Sequence, residues 1–169
     1  MDSPSKVPSR EEVLAILQEV KDPEIPVISV VEMGIVRDIR WDVESATLHV
    51  QITPTYSGCP AMKMIEQEVA EALQRSGYSR VVVDLVFAPA WTTDWMGPEA
   101  REKLRKYGIA PPGALSDSLI AIGAKRASVE CPFCRARDTE LRSEFGSTAC
   151  KSFFYCKACL QPFEHFKPI

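Results

Sequence analysis

Histidine is nearly missing from this chain: there are two, His49 and His165. A cysteine hydrolase needs a histidine beside its thiol. His49 lies in a strand pattern and His165 close to the last residue, so no such pair is legible and no catalytic residue is assigned. No flavin or nucleotide fingerprint occurs, and no Glu-x-x-His pair of the kind that builds di-iron sites on helices. The chain is therefore not expected to be an enzyme in its own right. No stretch approaches the roughly 20 apolar residues that cross a bilayer. The start, Met1-Asp-Ser-Pro-Ser-Lys6, has no apolar run behind a basic segment, unlike a signal peptide. A cytoplasmic protein with no membrane contact is expected. Net charge is only −3, and residues 128–169 hold six Lys plus Arg against five Asp plus Glu. That balance argues against phosphate-dominated binding, so nucleic acid is not an expected partner. Internal repeats and low-complexity tracts are absent too.

What remains is an ordinary globular mixture of 46% hydrophobic and 25% charged residues over 169 positions, enough for one domain and a small module. Ser9-Arg-Glu-Glu12 reads as a capping box opening a helix, with Val13, Ile16, Leu17 and Val20 on one face. Asp22-Pro23 is expected to end it. A structured loop then runs to Gly34. Residues 35–41 and 46–52 alternate apolar and polar and predict a β-hairpin. Pro60 is expected as the first residue of a second helix, whose apolar face is Met62, Ile65, Val69, Ala72 and Leu73. Residues 80–87 read as a strand. Pro98 to Tyr107 reads as a short helix closed by Gly108. The expected class is α+β: a small mixed three-stranded sheet with helices on one face, followed by a small zinc-ribbon-like β module. The expected division is residues 1–110, a linker over 111–127, and a module over 128–169, with residues 1–8 frayed.

The module is defined by Cys131-Pro-Phe-Cys134 and Cys156-Lys-Ala-Cys159, with 21 residues between the pairs. Two C-x-x-C turns direct four thiolates at one ion, and only a cation offsets their charge. Structural zinc is the default for a closed four-sulfur site. Rubredoxin-like iron uses the same ligand set and stays open as an alternative. Disulfides are disfavoured in a reducing compartment. Cys150 and His165 are substitute ligands for the second pair. Residues 139–144 and 152–155 supply the ribbon's strands, and Phe133, Phe145, Phe153, Phe154, Phe163 and Phe166 are expected to form its core.

Cys59 is the one cysteine ahead of residue 131. Placed at a helix N-terminus, its thiolate would be favoured by the macrodipole, which suits a nucleophile or a soft-metal ligand; a buried core cysteine is the plain alternative. One thiol cannot hold an iron–sulfur cluster by itself. A homodimer would supply two, or the carboxylates of Asp22 and Glu24 would join in. Trp91 and Trp95 share a loop, as sheet-edge anchors if buried or as a partner-binding hot spot if exposed.

Three loops carry a resemblance. Asp22-Pro-Glu-Ile-Pro26 with the segment through Gly34, then Thr53-Pro-Thr-Tyr-Ser-Gly-Cys-Pro60, then the tryptophan loop after the last strand, resemble the metal–sulfur cluster biosynthesis domain of iron–sulfur assembly factors over residues 10–107. With Cys131-Pro-Phe-Cys134, Phe145-Gly-Ser-Thr-Ala-Cys-Lys151 and Cys156-Lys-Ala-Cys159 added, the chain resembles the family of D-type subunits of phenylacetyl-CoA epoxidases over nearly its whole length. The resemblance implies an accessory or maturation role toward a multicomponent oxygenase of aerobic phenylacetate degradation. Its partners would be a di-iron oxygenase and an iron–sulfur reductase, with transient iron or cluster handled at Cys59, Asp22 and Glu24. A non-catalytic adaptor subunit is the alternative.

Overall fold

The computed structural model describes residues 7–113 and 128–169. The expected fraying of residues 1–8 and the linker over 111–127 therefore fall largely outside the described residues. By internal contacts the chain forms two units, Met1–Trp91 and Thr92–Ile169.

In the first unit, α1 spans Arg10–Leu17 and opens with the capping box read from the sequence. The Ser9 hydroxyl accepts from the Glu12 N–H at 3.1 Å, and the Glu12 carboxylate accepts from the Ser9 N–H at 2.9 Å. The helix stops at Leu17, five residues before Asp22, the expected end. Asp22 instead organises the next turn: its Oδ1 accepts from the Glu24 and Ile25 N–H groups at 2.8 and 2.9 Å, a side-chain turn that competes with helix. Strand β1 (Val36–Asp42) pairs antiparallel with β2 (Thr47–Ile52). Helix α2 (Met62–Arg75) then carries the chain to β3 (Val81–Leu85), which lies parallel to β2. The sheet order is β1-β2-β3, mixed as expected. Leu48, Val50 and Ile52 of β2 are buried, as are Val13 and Leu17 of α1 and Ile65, Val69 and Leu73 of α2. The face predicted for α2 is the face it buries. Pro60, however, lies in a turn ahead of the helix, where the Met62 N–H donates to the Cys59 carbonyl at 3.3 Å.

Trp91 closes this unit. It is 4% exposed, and its Nε1–H donates to the Met33 carbonyl at 2.9 Å. The partner-binding role expected for Trp91 is thereby corrected: its ring anchors the 22–34 loop. Trp95 belongs to the second unit, half-buried in a short 3₁₀ turn over Thr93–Trp95.

The second unit continues with α3 (Pro98–Lys106) and β4 (Ile109–Ala110), then β5 (Thr139–Ser143), β6 (Lys151–Cys156) and β7 (Pro162–Phe166). Its sheet order is β4-β7-β6-β5, with β4 parallel to β7 and the other pairs antiparallel. Residues 92–110, assigned from sequence to the front domain, thus lie with the ribbon. The aromatic core is smaller than expected. Phe163 and Phe166 are buried and Phe154 is half-buried, but Phe133 and Phe145 are 55% and 66% exposed, and Phe153 is also exposed. Two positions hold the turn between β5 and β6. Lys151, 3% exposed, pairs with Glu164 at 2.9 Å, and Glu164 also accepts from the Ser147 N–H. A Cβ at Gly146 would meet the Glu164 carboxylate at 2.5 Å, so a larger residue there has to displace the end of that side chain.

Trp91→Phe keeps the apolar bulk but leaves the Met33 carbonyl without its indole donor. Unfolding in urea should show a loss of about 1–3 kcal/mol; an unchanged midpoint would show that the hydrogen bond does not anchor the loop.

Candidate metal centre and acidic thiol loop

The two C-x-x-C segments fold into the same knuckle twice. The Cys131 N–H donates to the Ala136 carbonyl at 3.0 Å and the Arg135 N–H to the Cys131 carbonyl at 3.0 Å. The Cys156 N–H donates to the Gln161 carbonyl at 3.0 Å and the Leu160 N–H to the Cys156 carbonyl at 2.9 Å. The residue after the second cysteine is left-handed in both, with φ of 63° at Arg135 and 61° at Leu160. The tight turn within each pair points peptide N–H groups toward its first sulfur. Those of Cys134 and Phe133 reach Cys131, and those of Cys159 and Ala158 reach Cys156.

The four sulfurs all lie within 4.8 Å of one another. Cys131 Sγ is 3.7 Å from Cys159 Sγ, and Cys134 Sγ is 3.6 Å from Cys156 Sγ. A regular tetrahedron with zinc–sulfur bonds of about 2.3 Å has edges of about 3.8 Å, so the spacing fits a zinc ion. It is too long for disulfides, whose bond is about 2.05 Å. Without a cation the thiols do not ionise together. The N–H of Cys159 foremost draws Cys156 down to about 7, while desolvation foremost pushes Cys159 up to about 12. Desolvation also raises Cys131. A dication removes this conflict, and its binding displaces the thiol protons. Four thiolates leave no open coordination position, so a zinc ion held here has a structural part.

The substitute ligands proposed from sequence are not in the cluster. Cys150 is buried, with its sulfur 3.1 Å from the Thr148 hydroxyl. His165 packs edge-on against Phe154, with its Nδ1 3.4 Å from the Ser152 hydroxyl. Burial holds its pKa down at about 4.

Cys59 sits half-buried in the turn before α2. Its thiolate is not favoured, contrary to the helix-dipole argument. Burial pushes the thiol up, the carboxylates of Glu24 and Asp22 push the same way, and the Ala61 N–H and Thr55 hydroxyl only partly offset them. Asp22 and Glu24 thus lie near enough for their charges to act on Cys59. Among the described residues the three do not converge as the tail cysteines do. The one buried side-chain oxygen without a partner among the described residues is Thr53 Oγ1, at the start of the same loop.

Comparisons with known proteins divide along the same lines. The family described as "PaaD zinc beta ribbon domain" matches residues 116–167, and that described as "Iron-sulfur cluster assembly protein" matches residues 10–84. An Escherichia coli (strain K12) protein, provisionally named as the D-type component of 1,2-phenylacetyl-CoA epoxidase, is 44% identical over 96% of this chain and 94% of its own. A Bacillus subtilis (strain 168) Fe-S protein maturation auxiliary factor is 34% identical over 54% of this chain and 89% of its own. Among solved structures, a conserved hypothetical protein of Thermotoga maritima covers 59% of this chain and 97% of its own at 39% identity, with a TM-score of 0.50. A Bacillus anthracis domain of unknown function covers 56% and 89% at 27% identity, with a TM-score of 0.51.

Two outcomes are expected. Cys131→Ser should abolish stoichiometric zinc retention and unfold the ribbon while α1, α2 and the first sheet keep their backbone signals, read by metal analysis and amide spectra. A ribbon that stays folded after removal of a ligand and of metal would refute the structural part given to the cage. For His165 the folded pKa lies below the unfolded value of about 6.5. Between those values the unfolded chain binds the extra proton, so stability is flat above about pH 6.5 with respect to this group and falls toward pH 4. The loss is up to about 3 kcal/mol. His165→Gln should be less stable than wild type at pH 7, and the gap should narrow on acidification in parallel denaturation curves.

Proposed function

The chain belongs to the family of PaaD-like proteins, which join an iron–sulfur assembly domain to a PaaD zinc ribbon, and on that premise we propose that it is an accessory maturation factor for the iron centres of a phenylacetyl-CoA epoxidase. The clients would be the epoxidase's di-iron oxygenase and iron–sulfur reductase, and the cargo ferrous iron or an iron–sulfur cluster. The observation that carries this reading is the loop around Cys59. A single half-buried thiol is flanked by the charges of Asp22 and Glu24, in a domain matched to assembly proteins rather than to storage or redox proteins. The carboxylates that oppose a thiolate also favour a cation, so an arriving metal ion takes the place of the thiol proton. Three groups that do not converge on one point give a weak site, completed by ligands of the client. Handing on the ion restores the proton to Cys59, and no electron moves. The ribbon zinc keeps the second unit folded and takes no part in the exchange.

One observation favours a second reading, a non-catalytic adaptor subunit: Phe133 and Phe145 of the ribbon face solvent instead of a core, and exposed aromatic rings suit a protein interface.

Cys59→Ala, produced in cells growing on phenylacetate in place of the wild-type chain, separates the two. The transfer reading expects oxygenase and reductase to accumulate with much less iron, with growth on phenylacetate impaired and the variant's own zinc unchanged. Fully metallated partners and normal growth would refute transfer through Cys59, and a stable stoichiometric complex under those conditions would support the adaptor.

A further inference from the structure

The two edges of the first sheet are built differently. Strand β1 alternates charges along its length, at Arg37, Asp38, Arg40 and Asp42, and a register shift between Val36 and Asp38 interrupts its pairing. Charge and bulge are standard guards against edge-to-edge association. Strand β3 has no bulge, and the charges flanking Val82, Arg80 and Asp84, are of opposite sign. From Ser79 to Phe87 the chain contains no proline or lysine, and its pairing with β2 is regular. Val82 and Leu85 are each 39% exposed and Phe87 61%.

The backbone also faces outward in a defined pattern. The Arg80 carbonyl accepts from the Leu48 N–H at 2.9 Å, and the Val86 N–H donates to the Ile52 carbonyl at 2.8 Å. Even-numbered residues therefore direct their peptide groups to β2, and Val81, Val83 and Leu85 direct theirs to the open edge. Side chains alternate, so Arg80, Val82 and Asp84 share the face away from the helices. The Asp84 carboxylate is half-exposed beside His49 at 3.8 Å. Arg80, also exposed, reaches the Ser45 carbonyl at 3.1 Å.

Positive, apolar, negative at a spacing of two is a pattern that matches itself when reversed. We infer that β3 pairs antiparallel with β3 of a second copy of this chain, about a twofold axis at Val82, giving a six-stranded sheet. In this register Val81 and Val83 exchange backbone hydrogen bonds with Val83 and Val81 of the partner copy. Val82 meets Val82 in a close, non-hydrogen-bonded position, and Arg80 of each copy faces Asp84 of the other. Opposite charges at such positions favour pairing and like charges oppose it. A register centred one residue further on, at Val83, hydrogen-bonds equally well but faces Arg80 with Val86 and Asp84 with Val82, leaving both charges unmatched. The charges thus select both occupant and register. This dimer also has a geometric consequence for Cys59. Its loop leaves β2 at Ile52, level with Leu85, three residues from the axis. The two loops therefore depart from opposite ends of the shared sheet, on the order of 20 Å apart at their roots. Each copy keeps a separate thiol site, and the two cysteines do not share one cluster across this interface.

Sedimentation equilibrium of the zinc-loaded full chain tests the pairing. The wild type should dimerise, and Asp84→Arg and Arg80→Asp should each raise the dimer dissociation constant roughly tenfold or more. Mixed in equal amounts, the two variants should restore wild-type assembly, because one then offers only negative charges where the other offers only positive. Val82→Lys sets two lysines against each other at the axis and should weaken the dimer without altering either original charge. A wild type still monomeric at roughly 100 µM would overturn the proposal, a concentration at which even a weak dimer with a micromolar constant is populated. So would single variants that assemble normally, or a mixture that stays monomeric while each variant keeps its fold and its zinc.

Discussion

The ribbon of β5, β6 and β7 is built around four sulfur atoms meeting at one point. The buried cluster beneath β6 and β7 consists of Ala110, Cys131, Cys156 and Phe163, with Val129, Ala136, Phe154 and Cys159 packed against it. Three of those eight are cage cysteines, so the cage is itself part of this core. A module of this size buries too little apolar surface to fold on hydrophobicity alone. The thiols, left as thiols, disagree about ionisation. A dication held there would supply the missing attraction and remove the conflict among neighbouring sulfurs. The buried Lys151–Glu164 pair and the glycine at 146 then only fix how the β5–β6 turn lies against β7.

Much of this was legible because it is local. The capping box at Ser9 and Glu12, the buried stripe of α2, the hairpin of β1 and β2, and the two C-x-x-C turns each depend on residues within a few positions of one another. The misses depend on distant partners. Strand β4 has two residues and exists only because β7 lies beside it. Strand β7 itself hides in Pro162-Phe-Glu-His-Phe166, a short run whose alternation is clear once Phe163 and His165 are seen buried together. Helix α1 ends early, where the Glu19 and Val20 N–H groups turn to the Ile16 and Leu17 carbonyls at 3.2 and 3.1 Å, a tightening that the proline rule does not express. The left-handed bends at Arg135 and Leu160 carry no glycine to announce them; the matched spacing of the two knuckles was the available signal. The helix-dipole argument for Cys59 failed because it counted one favourable field and left out burial and two nearby carboxylates.

The two units solve opposite problems with the same element. In the ribbon, four thiolates around a dication would leave a net double negative charge, offset by the peptide N–H groups that reach Cys131 and Cys156, and the geometry would be closed. A closed site holds its ion tightly because nothing has to move for it to be complete. Around Cys59 the first unit is already folded by Val13, Leu17, Val50, Ile65 and Leu73, none of which needs a metal. A thiol on such a scaffold is free to gain or lose a cation without unfolding anything. Burial and the two nearby carboxylates push its pKa up, which favours the protonated thiol. On the proposed transfer reading, the carboxylates that raise the thiol's pKa would also favour an arriving cation, which would take the place of the proton. On the same reading, incomplete ligation, a fault in a structural site, would let an ion leave again once a partner offered more sulfur.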